Sequence, residues 1–271
     1  MPGSDDPDVG QRMNQPAIRR LKLLIEYDGT DFSGWQFQPH RRTVQGELEQ
    51  ALSGLIPPSL DAIAQQGGEI LSRIIGAGRT DAGVHALGQV AHVDIKSNLP
   101  GEVILKGMNR LMQRDVRILA VDEAPPGFHA RFSAKSRSYR YRLLHRDSAL
   151  ERRTAWAPKF KWDNGLIINA LAHLAGEHSF KSFCRARPGE NAYICRVFAA
   201  SWESDDQSAT FQITADRFLH AMVRGIVGAL LDVGRGYRSI AGFRQLLDHP
   251  DRIGAVQTAP AQGLTLMRVE Y

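Results

Sequence analysis

The chain has 271 residues, 43% of them hydrophobic, with a formal net charge of +5 and a sequence pI near 9.4. That is enough apolar material for a substantial core, in one large domain or two intimate halves. No apolar run approaches the roughly eighteen residues that a membrane-spanning helix needs, and the basic surplus is compatible with a nucleic-acid partner without demonstrating one.

In chain order, residues 1–18 open with MPGSDDPDVGQRMNQP, acidic, polar and without an apolar core, which reads as a disordered arm rather than a signal peptide. Leu21 to Tyr27 is apolar with β character and predicts a first strand ending at the Asp28-Gly29 turn. A loop with Gly34, Trp35 and Gln36 follows. Thr43 then caps a helix whose inward face is Val44, Leu48, Ala51, Leu52 and Leu55, stopped by Pro57-Pro58. Pro57 to Glu69 reads as a loop or extra turn. Strands are expected at Ile70–Ile75 and Gln89–Ile95, the second from its period-two alternation. A helix from Glu102 to Met112 turns Ile104, Leu105, Met108 and Leu111 inward, and Val116 to Val121 makes another strand.

From Ser136 to Leu144, alternation puts Tyr139, Tyr141 and Leu143 on one face and Arg140 with Arg142 on the other. Asp163 caps a helix through Ala175, stopped by Gly176. Strands at Arg196–Trp202 and Ala209–Thr214 follow. Phe218 to Val233, apolar almost all round, predicts a long buried helix. A shorter helix starts at Ser239, and Leu264 to Tyr271 is the last strand.

Leaving aside the short helix, each half runs β-α-β-β-α-β. The prediction is an α+β protein of two ferredoxin-like halves, residues 19–125 and 126–271, joined into one mainly antiparallel sheet with a central cleft. The helices are expected on one face of that sheet and the cleft on the other.

Residues 76–94, GAGRTDAGVHALGQVAHVD, carry the chemistry. Gly76, Gly78 and Gly83 permit tight or left-handed backbone around Arg79, Thr80 and Asp81. Two residues from Asp81, the Arg79 fork is placed to orient the carboxylate. A positioned, anionic carboxylate suits a nucleophile, although a loop salt bridge would look the same. Arg224, inside an apolar helix, must be paired, either with Asp81 or with another acid. His85 and His92 read as structural. Cys184 and Cys195 are too few for a disulfide framework and lack zinc spacing, as expected of thiols in a reducing cytoplasm. There is no GxxxxGK[ST] loop, and Gly76-Ala77-Gly78 lacks the later glycine of a dinucleotide site. Arg131, Lys135, Arg137, Arg140, Arg142, Arg146, Arg152 and Arg153 crowd one short interval as candidate phosphate contacts.

GRTDAGVHA followed by GQVAH resembles the catalytic motif of the TruA family of tRNA pseudouridine synthases, whose catalytic Asp corresponds to Asp81. The resemblance extends through Ile25-Glu26-Tyr27-Asp28-Gly29, Gly34-Trp35-Gln36, Thr43-Val44-Gln45, Phe128 to Ala134, Tyr139-Arg140-Tyr141, Phe180 to Phe183, Phe218 to Arg224 and Gly263 to Leu266. It implies a duplicated βαββαβ core, no cofactor or metal, and a cytoplasmic homodimer that holds tRNA. It further implies isomerisation of uridine to pseudouridine at positions 38, 39 and 40 of the anticodon stem-loop. Tyr139 would then be the platform for the flipped base and a candidate for taking the C5 proton, with Arg79 and Arg224 contributing to substrate binding. Tyr141, on the same face, is the better candidate for a core residue. The Pro57–Glu69 segment is longer than the family usually has, and the N-terminal arm has no obvious counterpart. Two other functions compete: a catalytically silent RNA-binding or chaperone protein on the same scaffold, and a carboxylate-nucleophile nucleosidase. The first would not need Asp81, and the second commonly pairs two carboxylates.

Overall fold

Alternation fixes the first strand. In β1 (Ile18–Tyr27), Leu21, Leu23, Ile25 and Tyr27 are buried while the residues between them are only partly so. The computed structural model describes residues 17–56, 73–185, 192–250 and 255–271. Residues 1–16 of the expected arm, the Pro57–Glu69 segment and residues 70–72 of the strand expected at 70–75 lie outside them. Of that strand, β2 (Ile75–Gly76) is described.

The remaining elements of the first half are α1 (Val44–Leu55), β3 (His85–Lys96), α2 (Gly101–Leu111) and β4 (Val116–Glu123). The second half has β5 (Ser136–Leu144), α3 (Asn164–Leu171), β6 (Gly176–Ser179), β7 (Ile194–Ser204), β8 (Ser208–Ala215), α4 (Met222–Gly234), α5 (Ile240–Asp248) and β9 (Leu264–Glu270). Three helices begin at the side chains expected to cap them: Thr43, Asp163 and Ser239 accept from Gly46, Leu166 and Gly242 N–H groups.

Strand order is β4-β1-β3-β9-β5-β8-β7-β6, with β2 also on β3. Taken separately, β4-β1-β3-β2 and β9-β5-β8-β7 are the same arrangement, which is the ferredoxin-like order expected of each half. Apart from one short parallel joint, His85↔Thr265 and Ala86↔Leu266 between β3 and β9, the pairings are antiparallel. Both β2 and β9 use the same edge of β3, β2 at Ala91 and His92, β9 at His85 and Ala86. Residues 77–84 leave the sheet between these two attachments, so the joint of the halves is also where the motif loop emerges.

Several expectations change. The helix from Asp163 ends at Leu171 rather than Ala175, and Gly176 opens β6, an edge strand with no apolar alternation to announce it. Leu111, expected inward, is exposed at the last turn of α2. The long helix begins at Met222, four residues later than expected. Cys184 and Cys195 are both buried.

Candidate active site

The loop between β2 and β3 is built from backbone constraints upward. Gly83 has a φ of +79°, a left-handed conformation that the Thr-Asp-Ala-Gly turn requires. Gly76 is needed for proximity instead, since a Cβ there would meet the Trp35 ring at 2.6 Å. Gly78 has no such constraint. Trp35 N–H donates to Thr80 O at 3.1 Å, and Gln89 Nε2 donates to Gly78 O at 2.9 Å. The hydroxyls of Tyr27 and Thr80 share a hydrogen bond of 2.8 Å. Burial pushes the Tyr27 phenol up to about 12, so it stays protonated and keeps this bond. Asp81 is thereby presented from a loop tied to β1, to β3 and to the Trp35 turn.

Its carboxylate meets two groups from the other half. Arg224 Nη1 donates to Asp81 Oδ2 at 3.1 Å, and His220 Nε2 lies 3.5 Å from Oδ1. Arg224 is itself fixed by its Nε, which donates to Ala259 O at 2.7 Å. Of the two partners left open by the sequence, Arg224 therefore takes Asp81. Arg79 is exposed on the wall of the same cavity. Among the described residues the ion-pair partners of Asp81 are Arg224 and His220.

His220 reaches Asp81 because the chain does not enter α4 directly. Ala221, with a φ of +61°, is left-handed, and Met222 N–H closes a turn onto Leu219 O at 3.1 Å. That break frees Phe218 and His220 from helical positions, and both line the cavity.

Tyr139 forms another wall, only 8% exposed, with its ring edge-on to Phe218 at 5.0 Å between centroids. The register of β5 against β9 shifts between Ser138 and Tyr139, an irregularity of the kind that re-aims side chains near sites. Burial first, then the nearby Tyr27 and Asp81, hold the Tyr139 phenol well above its usual range. Tyr141 is fully buried, donating its hydroxyl to Pro260 O at 2.8 Å, as expected of a core residue.

Asp81, Arg79, Tyr139, Phe218 and His220 line a cavity of about 690 Å³. Gln45 of α1 and Met222 and Val223 of α4 line it together with Arg131 and Phe132. Helices of both halves and the 131–132 turn thus contribute to the walls of the cleft. Arg137, expected to meet phosphate, is spent internally. Its guanidinium donates to the carbonyls of Ala77, Arg131, Ala134 and Asp216 at 2.7–3.2 Å, tying the motif loop to β5 and the 131–134 turn. Arg142 pairs with Glu151 at 2.5 Å. His85 and His92 are structural, accepting from Gly29 and Ala130 N–H groups at 3.0 and 3.1 Å. Among the described residues no three or more His, Cys, Asp or Glu gather as a metal site.

A carboxylate clamped by a guanidinium beside a neutral aromatic ring, in a space that fits a nucleoside, is suited to covalent or proton-transfer chemistry on a base or its sugar. Residues 23–133 and 170–271 match the profile of the family described as tRNA pseudouridine synthase. The chain belongs to the tRNA pseudouridine synthase family. A tRNA pseudouridine synthase A from Geobacillus kaustophilus is 40% identical over 256 residues, covering 93% of this chain and 95% of the relative. Those of Chlorobaculum tepidum and Frankia casuarinae are also 40% identical, covering 93% and 94% of this chain and 98% and 90% of theirs. Asp81, His220 and Arg224 fall within the family match, whereas Tyr139 falls between its two segments.

Sequence reasoning missed His220 and Phe218. A usable signal was present: Phe218-Leu219-His220-Ala221-Met222-Val223-Arg224 carries two basic residues four apart in an otherwise apolar run. A charged group in an apolar run needs a partner of opposite charge.

Proposed function

We propose that this chain isomerises uridine to pseudouridine in tRNA, with Asp81 as the group that reacts with the substrate. The observation that carries the reading is the Asp81–Arg224 pair, made across the two halves, with Asp81 and Tyr139 lining one cavity. The reaction breaks the N-glycosidic bond, turns the uracil, rejoins it through C5 and removes the C5 proton. It needs neither redox change nor phosphate donor. Attack of the carboxylate on C1′ or on C6, or removal of a sugar proton to give a glycal, would each bring Asp81 into direct contact with the nucleoside.

Arg224 orients the carboxylate. The Tyr139 ring receives the flipped base, whose unstacking costs a few kcal/mol and whose stacking on an aromatic returns about 1–3 kcal/mol. Arg79, on the exposed wall, meets the RNA as it enters. By the resemblance, the targets are positions 38, 39 and 40 of the anticodon stem-loop, and the working form is a cytoplasmic homodimer. The functional division is residues 19–125, which supply Asp81, and 126–271, which supply Tyr139 and Arg224. Among the described residues no helix is long and apolar enough to cross a membrane.

Incubating the purified chain with tRNA transcripts and mapping pseudouridine tests the reading directly. Release of free uracil would indicate a nucleosidase, and tight tRNA binding without any modified base would indicate a silent RNA-binding protein. The cationic partners of Asp81 weigh against the nucleosidase, whose chemistry commonly pairs a second carboxylate with the first.

A further inference from the structure

Phe132 is 77% exposed, yet it lines the cavity that contains Asp81 and Tyr139. A phenylalanine left this open to water contributes little to the fold, and one held rigidly there is shaped for a visitor. The turn beneath it is closed by hydrogen bonds. His129 N–H donates to Ser133 Oγ and Ser133 N–H to His129 O, each at 2.9 Å, while Arg131 and Phe132 N–H groups both donate to His129 Nδ1 at 3.2 Å. Arg137 adds a bond to Arg131 O at 2.7 Å. The Phe132 ring leans on the His129 ring at 4.4 Å between centroids and 33° between planes, and His129 lies 4.6 Å from His92 on β3. One side of Phe132 is therefore backed by a row of rings rooted in the sheet. The Arg131 guanidinium sits 5.5 Å from its centroid.

We propose that Phe132 is a stacking platform for a second nucleobase, the neighbour of the uridine that turns into the cavity. The inference rests on the tRNA pseudouridine synthase reading given above. When one base leaves a stack, the base beside it loses a partner on one face. Tyr139 serves the base that has left, and Phe132 serves the one that stays. A ring offers the same face to any base, so the contact tolerates different neighbouring nucleotides in different tRNAs. Its backing by His129 means that little ordering is required at the moment of binding.

The test uses an anticodon stem-loop RNA carrying 2-aminopurine beside the target uridine, and three full-length chains: parent, Phe132→Leu and Phe132→Trp. Binding to the parent should leave the probe quenched by stacking, whereas the Leu complex should brighten and the Trp complex should be quenched again. RNA affinity should fall by about 5- to 150-fold in Leu, the range of one aromatic–base stack, and recover in Trp. KM should rise in step while the single-turnover rate at saturating RNA stays within about threefold. Because the ring is exposed, Phe132→Leu should melt like the parent.

A Leu variant with parental affinity and a quenched probe would overturn the platform. So would a lost single-turnover rate at unchanged affinity, which would place Phe132 in the chemistry itself. A changed sedimentation of the free protein with unchanged RNA affinity would make the ring a protein–protein contact. If instead the parent chain formed no pseudouridine, the reading of its activity would fail. That failure appears in the parent alone, whereas failure of the platform appears only in comparing the variants.

Discussion

Asp81 and Arg224 stand 143 residues apart in sequence and 3.1 Å apart in space. The need for a partner was legible in an arginine within an apolar run, but the partner's identity was not, because no local rule links a loop and a helix that distant. Asp81→Asn preserves size and hydrogen bonding to Arg224 but removes the carboxylate. Pseudouridine formation should drop to background while equilibrium tRNA binding stays within a few-fold, and wild-type turnover in this variant would remove Asp81 from the mechanism. Tyr139 calls for a graded pair. Tyr139→Phe keeps the ring and should bind RNA like the parent, whereas Tyr139→Leu should lose the platform. If the hydroxyl takes the C5 proton, Phe slows single turnover by about 10²–10⁴-fold, the usual contribution of an acid–base group. The raised phenol pKa supplies a sign for this. The phenol is protonated at neutral pH, so a rate limited by its phenolate should climb with pH in the parent and stay flat in Phe. A Phe variant as fast as the parent leaves Tyr139 a stacking residue only.

At the level of elements, sequence periodicity located the strands and helices but not the interruption that builds the site. Phe218 to Val233 is apolar enough to be one buried helix, and nothing in its pattern requires a left-handed Ala221. Tertiary demand overrides propensity there: His220 and Phe218 must face the cavity, which a continuous helix would not allow. A β-branched side chain is a genuine outlier in that conformation. Ala221→Val should therefore cost roughly 1–2 kcal/mol or more of stability, read as a lower urea midpoint, and should depress activity by moving His220 and Arg224 away from Asp81. A second element-scale effect concerns His92, which accepts the Ala130 N–H and anchors the 128–133 turn on β3. Burial, with Arg20 and His129 nearby, lowers its pKa from the usual 6.5 to about 4. Between those values the unfolded chain binds a proton that the folded chain does not, so stability should fall as pH drops from 6.5 to about 4 and change little from this source outside that window. His92→Asn offers an acceptor to Ala130 without titrating. Its urea midpoint should be less acid-sensitive across the window, and an unchanged slope would show that another group governs it.

For the whole molecule, the repetition of β-α-β-β-α-β was legible because each half keeps its own alternating strands and capped helices. What joins the halves was not. The β3–β9 joint pairs only His85 and Ala86 with Thr265 and Leu266, too short and too polar at its ends to stand out as a pattern. The distribution of charge required the structure for a similar reason. A crowd of arginines from 131 to 153 looks uniform in sequence, yet Arg137 is bonded to four carbonyls and Arg142 to Glu151, while Arg131 is exposed on the cavity wall. Counterion release separates these roles. Each phosphate neutralised contributes about 0.7 to the slope of log affinity against log salt for single strands and about 0.9 for a duplex. Arg131→Gln should therefore make the tRNA-binding slope shallower by about that amount. Arg142→Gln should leave the slope nearly unchanged, because its charge is already met by Glu151. Arg137→Gln should instead lower stability and turnover, since it loosens the tie between Ala77, the 131–134 turn and Asp216. Titrations of the parent and the three variants at four or more salt concentrations, each paired with a urea melt, distinguish the outcomes. A shallower slope for Arg142→Gln but not Arg131→Gln would mean that the RNA crosses the opposite face of β5, and the cavity wall would no longer be its path.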